Sequence, residues 1–144
     1  SPEGVAVFAP GGQDFYLIRY ADVLLMRAEA LAELGQLSEV YPLVNQVRAR
    51  VNMPSIESVE GTGLSQEKMI EIVRHERRVE LAFESLRFFD LKRWGIMDKA
   101  YARAAADPVG PFNPQYRGRR SEVFPIPQSE LDANRNLVQN PVWH

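Results

Sequence analysis

The chain has 144 residues, of which 45% are hydrophobic and 25% charged, a globular balance that excludes intrinsic disorder and supplies apolar side chains for a real core. Its formal net charge of −2 offers no basic or acidic excess to drive binding to nucleic acid or to a membrane surface. Cysteine is absent, which excludes disulfides, thiolate catalysis and cysteine-based metal sites, and no apolar run reaches the length of a membrane-spanning helix.

Residues 1–13, "SPEGVAVFAPGGQ", are rich in proline and glycine and read as an extended lead-in; residues 1–10 lack the charged-then-apolar order of a signal peptide. Helical pattern starts around Asp14, a residue suited to an N-cap, and runs through "FYLIRYADVLLMRAEALAELG". Tyr16, Tyr20, Leu24, Arg27, Leu31 and Leu34 fall on one stripe, Ala21, Ala28 and Ala32 keep a second stripe slim, and Gly35 ends the helix as a left-handed cap. Ser38 is placed to cap a second helix through "EVYPLVNQVRARV", with Pro42 near its first turn and Val40, Leu43, Val44 and Val47 on its apolar side. The turn "GQLS" makes the two helices antiparallel. This pair has the texture of a tetratricopeptide-type hairpin, although a generic helical hairpin accounts for the same residues.

"NMPSIESVEGTGL" reads as a loop. Ser65 then opens a long third helix whose stripe is Met69, Ile72, Val73, Glu76, Val79, Glu80, Phe83 and Leu86, with Gly95 ending or kinking it. A short alanine-rich helix over about 97–106 follows. From Asp107 the chain is rich in proline and glycine, and Ser129 with Asp132 marks one brief helical turn. Phe124, Ile126, Leu137, Val142 and Trp143 are its apolar anchors. The expected fold is all-α, with tetratricopeptide-like hairpins in a helical part over about 14–106 and a long irregular C-terminal wrap over about 107–144.

The stretch "ERRVELAFESLRFFDLKRWG" is dense in both ions and aromatics. At helical spacing Glu80, Glu84, Arg87, Asp90 and Arg93 form a ladder, flanked by Phe83, Leu86 and Phe89 on one side and Leu81, Phe88, Leu91 and Trp94 on the other. A helix enclosed on both flanks must pair its ions, because an isolated buried charge costs several kcal/mol. The reading is a structural ion network of Arg78, Glu80, Glu84, Arg87, Asp90 and Arg93, with arginine forks holding the carboxylates. Paired-carboxylate catalysis by Glu80 and Glu84 is disfavoured, since a nearby arginine lowers a carboxyl pKa. A nucleic-acid surface would need positive charge that the acids here cancel. His75 and His144 sit in no metal-ligand spacing, and no nucleophile elbow, P-loop or dinucleotide glycine fingerprint occurs. No metal site, cofactor motif or catalytic constellation is therefore read in these residues.

The candidate ligand contacts are Phe112, Asn113, Tyr116 and Arg117, near Tyr101 and Gln115. Flat rings beside amide and guanidinium groups are the equipment of a sugar-binding surface; the alternative is that the rings pin the loop down.

"FYLIRYADVLLMRAEALAELG", "VNQVRARVNMP", "IVRHERRVELAFESLRFFDLKRWG" and "VFPIPQSELDANRNLVQNP", in that order, resemble the C-terminal part of the SusD/RagB-like family of nutrient-binding outer-membrane lipoproteins of Bacteroidetes. The resemblance implies an α-helical protein on tetratricopeptide-like hairpins, anchored at the cell surface by an N-terminal lipidated cysteine. It implies a binding protein that caps a TonB-dependent, SusC-like transporter and takes oligosaccharides, or in some members peptides. It assigns the hairpin over 16–51 and the helix bearing Arg78, Glu80, Arg87, Asp90 and Arg93 to the scaffold. Ser85-Leu86 stands where the family pattern usually has Gly followed by His, and Val142-Trp143 replaces a Gly-aromatic ending. Family members are longer, so the chain reads as a C-terminal fragment, and a fragment that exposes apolar area is expected to self-associate. The runner-up function is a free-standing tetratricopeptide-like module that binds a peptide; a glycan hydrolase would require two carboxylates facing an open cleft.

Overall fold

The structure is a computed structural model that describes residues 17–107 and 114–143. The chain divides into two compact units, Ser1–Ala82 and Phe83–His144, and the regular elements among the described residues are all helical.

In the first unit α1 (Tyr20–Glu33) and α2 (Leu37–Ala49) form the expected hairpin. Gly35 turns the chain at φ +73, and the N–H groups of Gly35 and Gln36 bond the carbonyls of Ala32 and Leu31. That is a Schellman closure, in which the left-handed residue carries no Cβ penalty. α1 starts later than the sequence pattern predicts. Asp14 and Tyr16 lie outside the described residues, and Leu17 to Arg19 are non-helical. Arg19 is extended (φ −126°, ψ 158°) while its guanidinium is bound to the side chain and carbonyl of Glu80, a tether from outside the helix that fixes where α1 begins.

The buried side of α1 also differs from expectation. Leu24, Leu25, Ala28, Leu31 and Ala32 are buried, whereas Tyr20 and Leu34 are exposed. The slim alanine stripe is thus part of the contact face, because Ala28 and Ala32 let neighbouring backbones approach. In α2, Val40, Val44 and Val47 enter the core with Leu43 against them. Ser38 is not the cap: the helix starts at Leu37, with Gln36 before it and no side-chain cap. Pro42 sits inside the helix, beyond its first turn.

The expected loop after α2 contains a short helix, α3 (Ile56–Glu60). Ser55 Oγ accepts from Ser58 N–H, and Asn45 of α2 accepts from Ile56 N–H at 2.9 Å while donating to Glu57 at 2.7 Å. These bonds hold Ile56, fully buried, in the core beside Met69 and Val73.

α4 (Gln66–Glu80) opens at Ser65 as predicted, with Ser65 Oγ accepting from Lys68 N–H. Gln66 reaches back to donate to the carbonyls of Ala32 and Glu33 at the end of α1, where Ala32 O also accepts from Gly35 N–H. The long continuous third helix does not form. α4 ends at Glu80, and a new helix, α5 (Arg87–Arg93), begins only after Phe83 (φ +66) and Ser85 (φ +62), both left-handed. Nothing in "LAFESL" is a helix breaker by composition. The tethering of Glu80 by side chains from elsewhere overrides local propensity.

In the second unit α5 ends at Gly95 (φ +64), whose N–H and that of Ile96 bond the carbonyls of Lys92 and Leu91. It is followed by α6 (Met97–Ala105), a 3-10 turn at Gly118–Ser121, α7 (Gln128–Ala133) and a 3-10 turn at Pro141–Trp143. α7 follows Pro127 directly, so Ser129 lies within it and does not cap it. The tail is held by polar ties more than by the apolar anchors expected of it. Gln139 brackets the backbone of Ile126 with both ends of its amide, and Trp143 Nε1–H donates to Val123 O at 3.0 Å. Arg120 lies over the Trp143 ring and donates to Val142 O. Phe124 meets the Phe88 ring at 5.8 Å yet stays 79% exposed, and Leu137 is exposed too.

Candidate functional site

The first unit is clamped by buried ion pairs that the sequence ladder does not contain. On α4 two consecutive residues reach opposite ways: Arg77 bonds Asp22 at 2.9 Å and lies 3.8 Å from Glu29, both on α1, while Glu76 accepts from Arg48 of α2 at 3.0 Å. All five groups are buried. Such pairs fix register, since removing one partner strands a charge in the interior.

The ladder residues themselves fall into separate groups. Glu80, with its side chain 7% exposed, is held by Arg19 at 2.6 Å and by Arg50 through both carboxylate oxygens. Arg78 is exposed on α4, and Glu84 is half-buried in the segment between α4 and α5. Arg87, Asp90 and Arg93 are brought together on α5. Asp90 is buried and accepts from Arg93 Nε and Nη2 at 3.0 and 2.8 Å. Arg93 and Arg87 lie over Trp94, 4.9 and 5.6 Å from its ring centre, the stacking for which a flat guanidinium is suited.

Of the loop candidates, Phe112 and Asn113 lie outside the described residues. Tyr116 packs edge-on against Tyr101 with ring centres 5.8 Å apart, and its hydroxyl donates to Glu122. That bond raises the Tyr116 pKa above its ordinary value, helped by desolvation and by the negative charges of Glu122 and Asp98. Arg117 donates its backbone N–H to Ser121 Oγ at 2.8 Å and leaves its side chain exposed. The arrangement presents a ring face and a guanidinium on a braced turn.

A concavity in the first unit has no signature in the linear sequence. It is a cleft of about 350 Å³ lined by Arg19, Tyr20, Ala21, Leu24, Gln46, Val47 and Arg50. Its residues come from the start of α1 and the last turns of α2, so only the folded hairpin assembles it. Among the described residues no cluster of three or more His, Asp or Glu is placed to hold a metal, and no helix is long and apolar enough to cross a membrane.

Comparison with known proteins gives a single consistent answer. The family model described as "SusD family" matches residues 8–143. SusD-like protein P2 of Formosa agariphila is 35% identical over 127 residues, covering 85% of this chain and 24% of that protein. A SusD homolog from Bacteroides thetaiotaomicron superposes with a TM-score of 0.72 at 36% identity, covering 90% of this chain and 27% of its own. A SusD superfamily protein from Bacteroides vulgatus gives a TM-score of 0.71 at 34% identity over 88% of this chain and 27% of its own. The chain spans about a quarter of the length of these relatives.

Proposed function

Because the chain belongs to the SusD family, we propose that it is the C-terminal scaffold region of a longer nutrient-binding lipoprotein at the outer-membrane surface. That protein binds an oligosaccharide, without chemically altering it, and hands it to a TonB-dependent, SusC-like transporter. The observation that carries the reading is the family match along residues 8–143, which engages hairpin, α4, α5 and tail together rather than a single motif. The ion pairing of α4 and α5 fits a scaffold: Glu76, Glu80 and Asp90 each accept from arginine, an arrangement for holding helices rather than for moving protons. Within this region the glycan contact falls to Tyr116 and Arg117, with Phe112 and Asn113 beside them in sequence.

The test starts from the natural protein. An antibody against this segment is used to recover its parent from detergent-solubilised membranes, and the mass and co-purifying chains are read. A lipidated protein several times this length, accompanied by an outer-membrane barrel, is the expected result. A soluble protein of about 144 residues with no barrel would overturn the proposal and favour a peptide-binding interaction module. With a ligand found by glycan screening, Tyr116→Ala in the parent weakens its Kd about 2- to 10-fold, the worth of one aromatic contact. Unchanged affinity removes the Tyr116 face from the site.

A further inference from the structure

The turn that carries Tyr116 and Arg117 has an unbalanced charge. Residues 112–121, "FNPQYRGRRS", hold three arginines and no Asp or Glu. Arg19, Arg48, Arg77 and Arg93 each meet a carboxylate. At this turn Arg120 is committed to the tail, over the Trp143 ring and on Val142 O. Glu122, the next acid along the chain, accepts from the Tyr116 hydroxyl. Arg117 and Arg119 are exposed, and among the described residues their guanidinium groups meet neither a carboxylate nor a ring.

The backbone beneath these two arginines is set. Gly118 turns at φ +58 between them, a conformation glycine takes without penalty. Arg117 N–H donates to Ser121 Oγ at 2.8 Å, and the N–H groups of Glu122 and Val123 both return to Arg119 O, at 3.0 and 3.1 Å. Two residues apart, the arginines are separated by at most about 7 Å between Cα atoms. Two like charges held that close repel, and an anion between them relieves the repulsion at little cost in ordering a turn already braced.

We infer that the glycan taken at this turn is acidic: a sugar chain bearing carboxylate or sulfate groups, gripped by Arg117 and Arg119 while an uncharged sugar face lies on the Tyr116 ring. The inference rests on the reading of the chain as part of a glycan-binding protein and adds the chemical class of the glycan. A guanidinium fork matches either anion, two N–H groups to two oxygens. The negative charges of Glu122 and Asp98 act on the hydroxyl end of Tyr116, so the acid group of the ligand goes to the arginines and not to that end of the ring. An anionic membrane surface is the poorer occupant. Two guanidinium groups fall short of the roughly four to eight basic residues by which a polybasic segment holds a leaflet, and the chain as a whole carries −2.

The full-length parent is tested against two matched pairs of polymers: polygalacturonate with its fully methyl-esterified form, and dextran sulfate with dextran. At least one acidic polymer is expected to bind about tenfold or more tightly than its neutral match at low salt. Arg117→Gln with Arg119→Gln weakens that binding about 3- to 30-fold. Arg103→Gln with Arg135→Gln deletes the same charge at two other exposed positions and leaves the preference in place. A preference that survives the first pair of substitutions, or falls equally with the second, overturns the inference. Binding to neither acidic polymer also overturns it; the glycan-binding reading is judged separately, by the neutral polymers and by the barrel that accompanies the parent. Vesicles of equal parts phosphatidylcholine and phosphatidylglycerol complete the test. Binding there that needs Arg117 and Arg119, without binding to the polymers, assigns the turn to a lipid surface and overturns the inference.

Discussion

Ser85 is held at φ +62, where a side chain crowds the backbone and costs about 1 kcal/mol or more. It is also where the resemblance drawn from the sequence leads one to expect glycine. Ser85→Gly is therefore expected to raise stability by about 0.5–1 kcal/mol, the strain released less the greater freedom of glycine in the unfolded chain. The check is a higher urea midpoint at unchanged slope. Glu57 supplies a residue-level pH dependence. The Asn45 hydrogen bond, followed by its own backbone N–H, holds its carboxyl below the ordinary value of 4.5. A depressed pKa in the folded state stabilises above the unfolded value and is lost as pH falls through the folded one. Asn45→Ala removes that bond and the one from Ile56 N–H, the latter worth about 0.5–1.5 kcal/mol. The stability gap between Asn45→Ala and the natural chain should narrow as pH drops below about 4.5 without closing. A gap that widens in acid would contradict the assignment.

Among the elements, α2 carries a built-in weakness. Pro42 lies beyond the first turn of the helix, where it forgoes one backbone hydrogen bond and crowds the carbonyl four residues earlier. Pro42→Ala should stabilise the first unit by about 1–3 kcal/mol, read as a raised thermal midpoint; a loss would mean that its ring makes a contact worth more than the bond. Some element boundaries were legible from local signals, whereas the equally local cap signals at Ser38 and Ser129 did not mark a cap. Gly35, Gly95 and Ser65 announce their caps because left-handed turns and side-chain caps are settled within a few residues. α3 was read as loop although its Ser55 cap is local; the tie that holds its Ile56 comes from Asn45, eleven positions earlier. The break between α4 and α5 was hidden: Leu81, Ala82 and Glu84 are good helix formers, and the ties at Glu80 come from Arg19 and Arg50.

For the whole molecule, the density of charge and aromatics in "ERRVELAFESLRFFDLKRWG" singles out α4 and α5 as ion-rich elements. It cannot say which partners the ions take, because Arg77 meets Asp22 across 55 positions and Arg48 meets Glu76 across 28. The cleft beside Tyr20 is equally invisible, being assembled from two helices. Large apolar groups remain open in both units, Phe83 completely and Phe89, Phe124 and Leu34 by more than half. The isolated 144-residue chain is therefore expected to bind a hydrophobic dye and to self-associate, seen as a sedimentation coefficient that rises with concentration. A strictly monomeric chain with low dye binding would show that these groups are individually tolerated surface residues.

The opposed reach of Glu76 and Arg77 sets an order in time. Until α4 has been made, Asp22 and Glu29 on α1 and Arg48 on α2 lack the partners they have in the finished fold. At ~5–20 residues per second, the stretch from the end of α2 at Ala49 to the end of α4 at Glu80 takes about 2–6 s to emerge. During that interval the nascent hairpin has its apolar faces but lacks the α4 partners of these charges. Pairing of these charges waits for a single turn of α4, which makes that turn the latch on the α1–α2 hairpin.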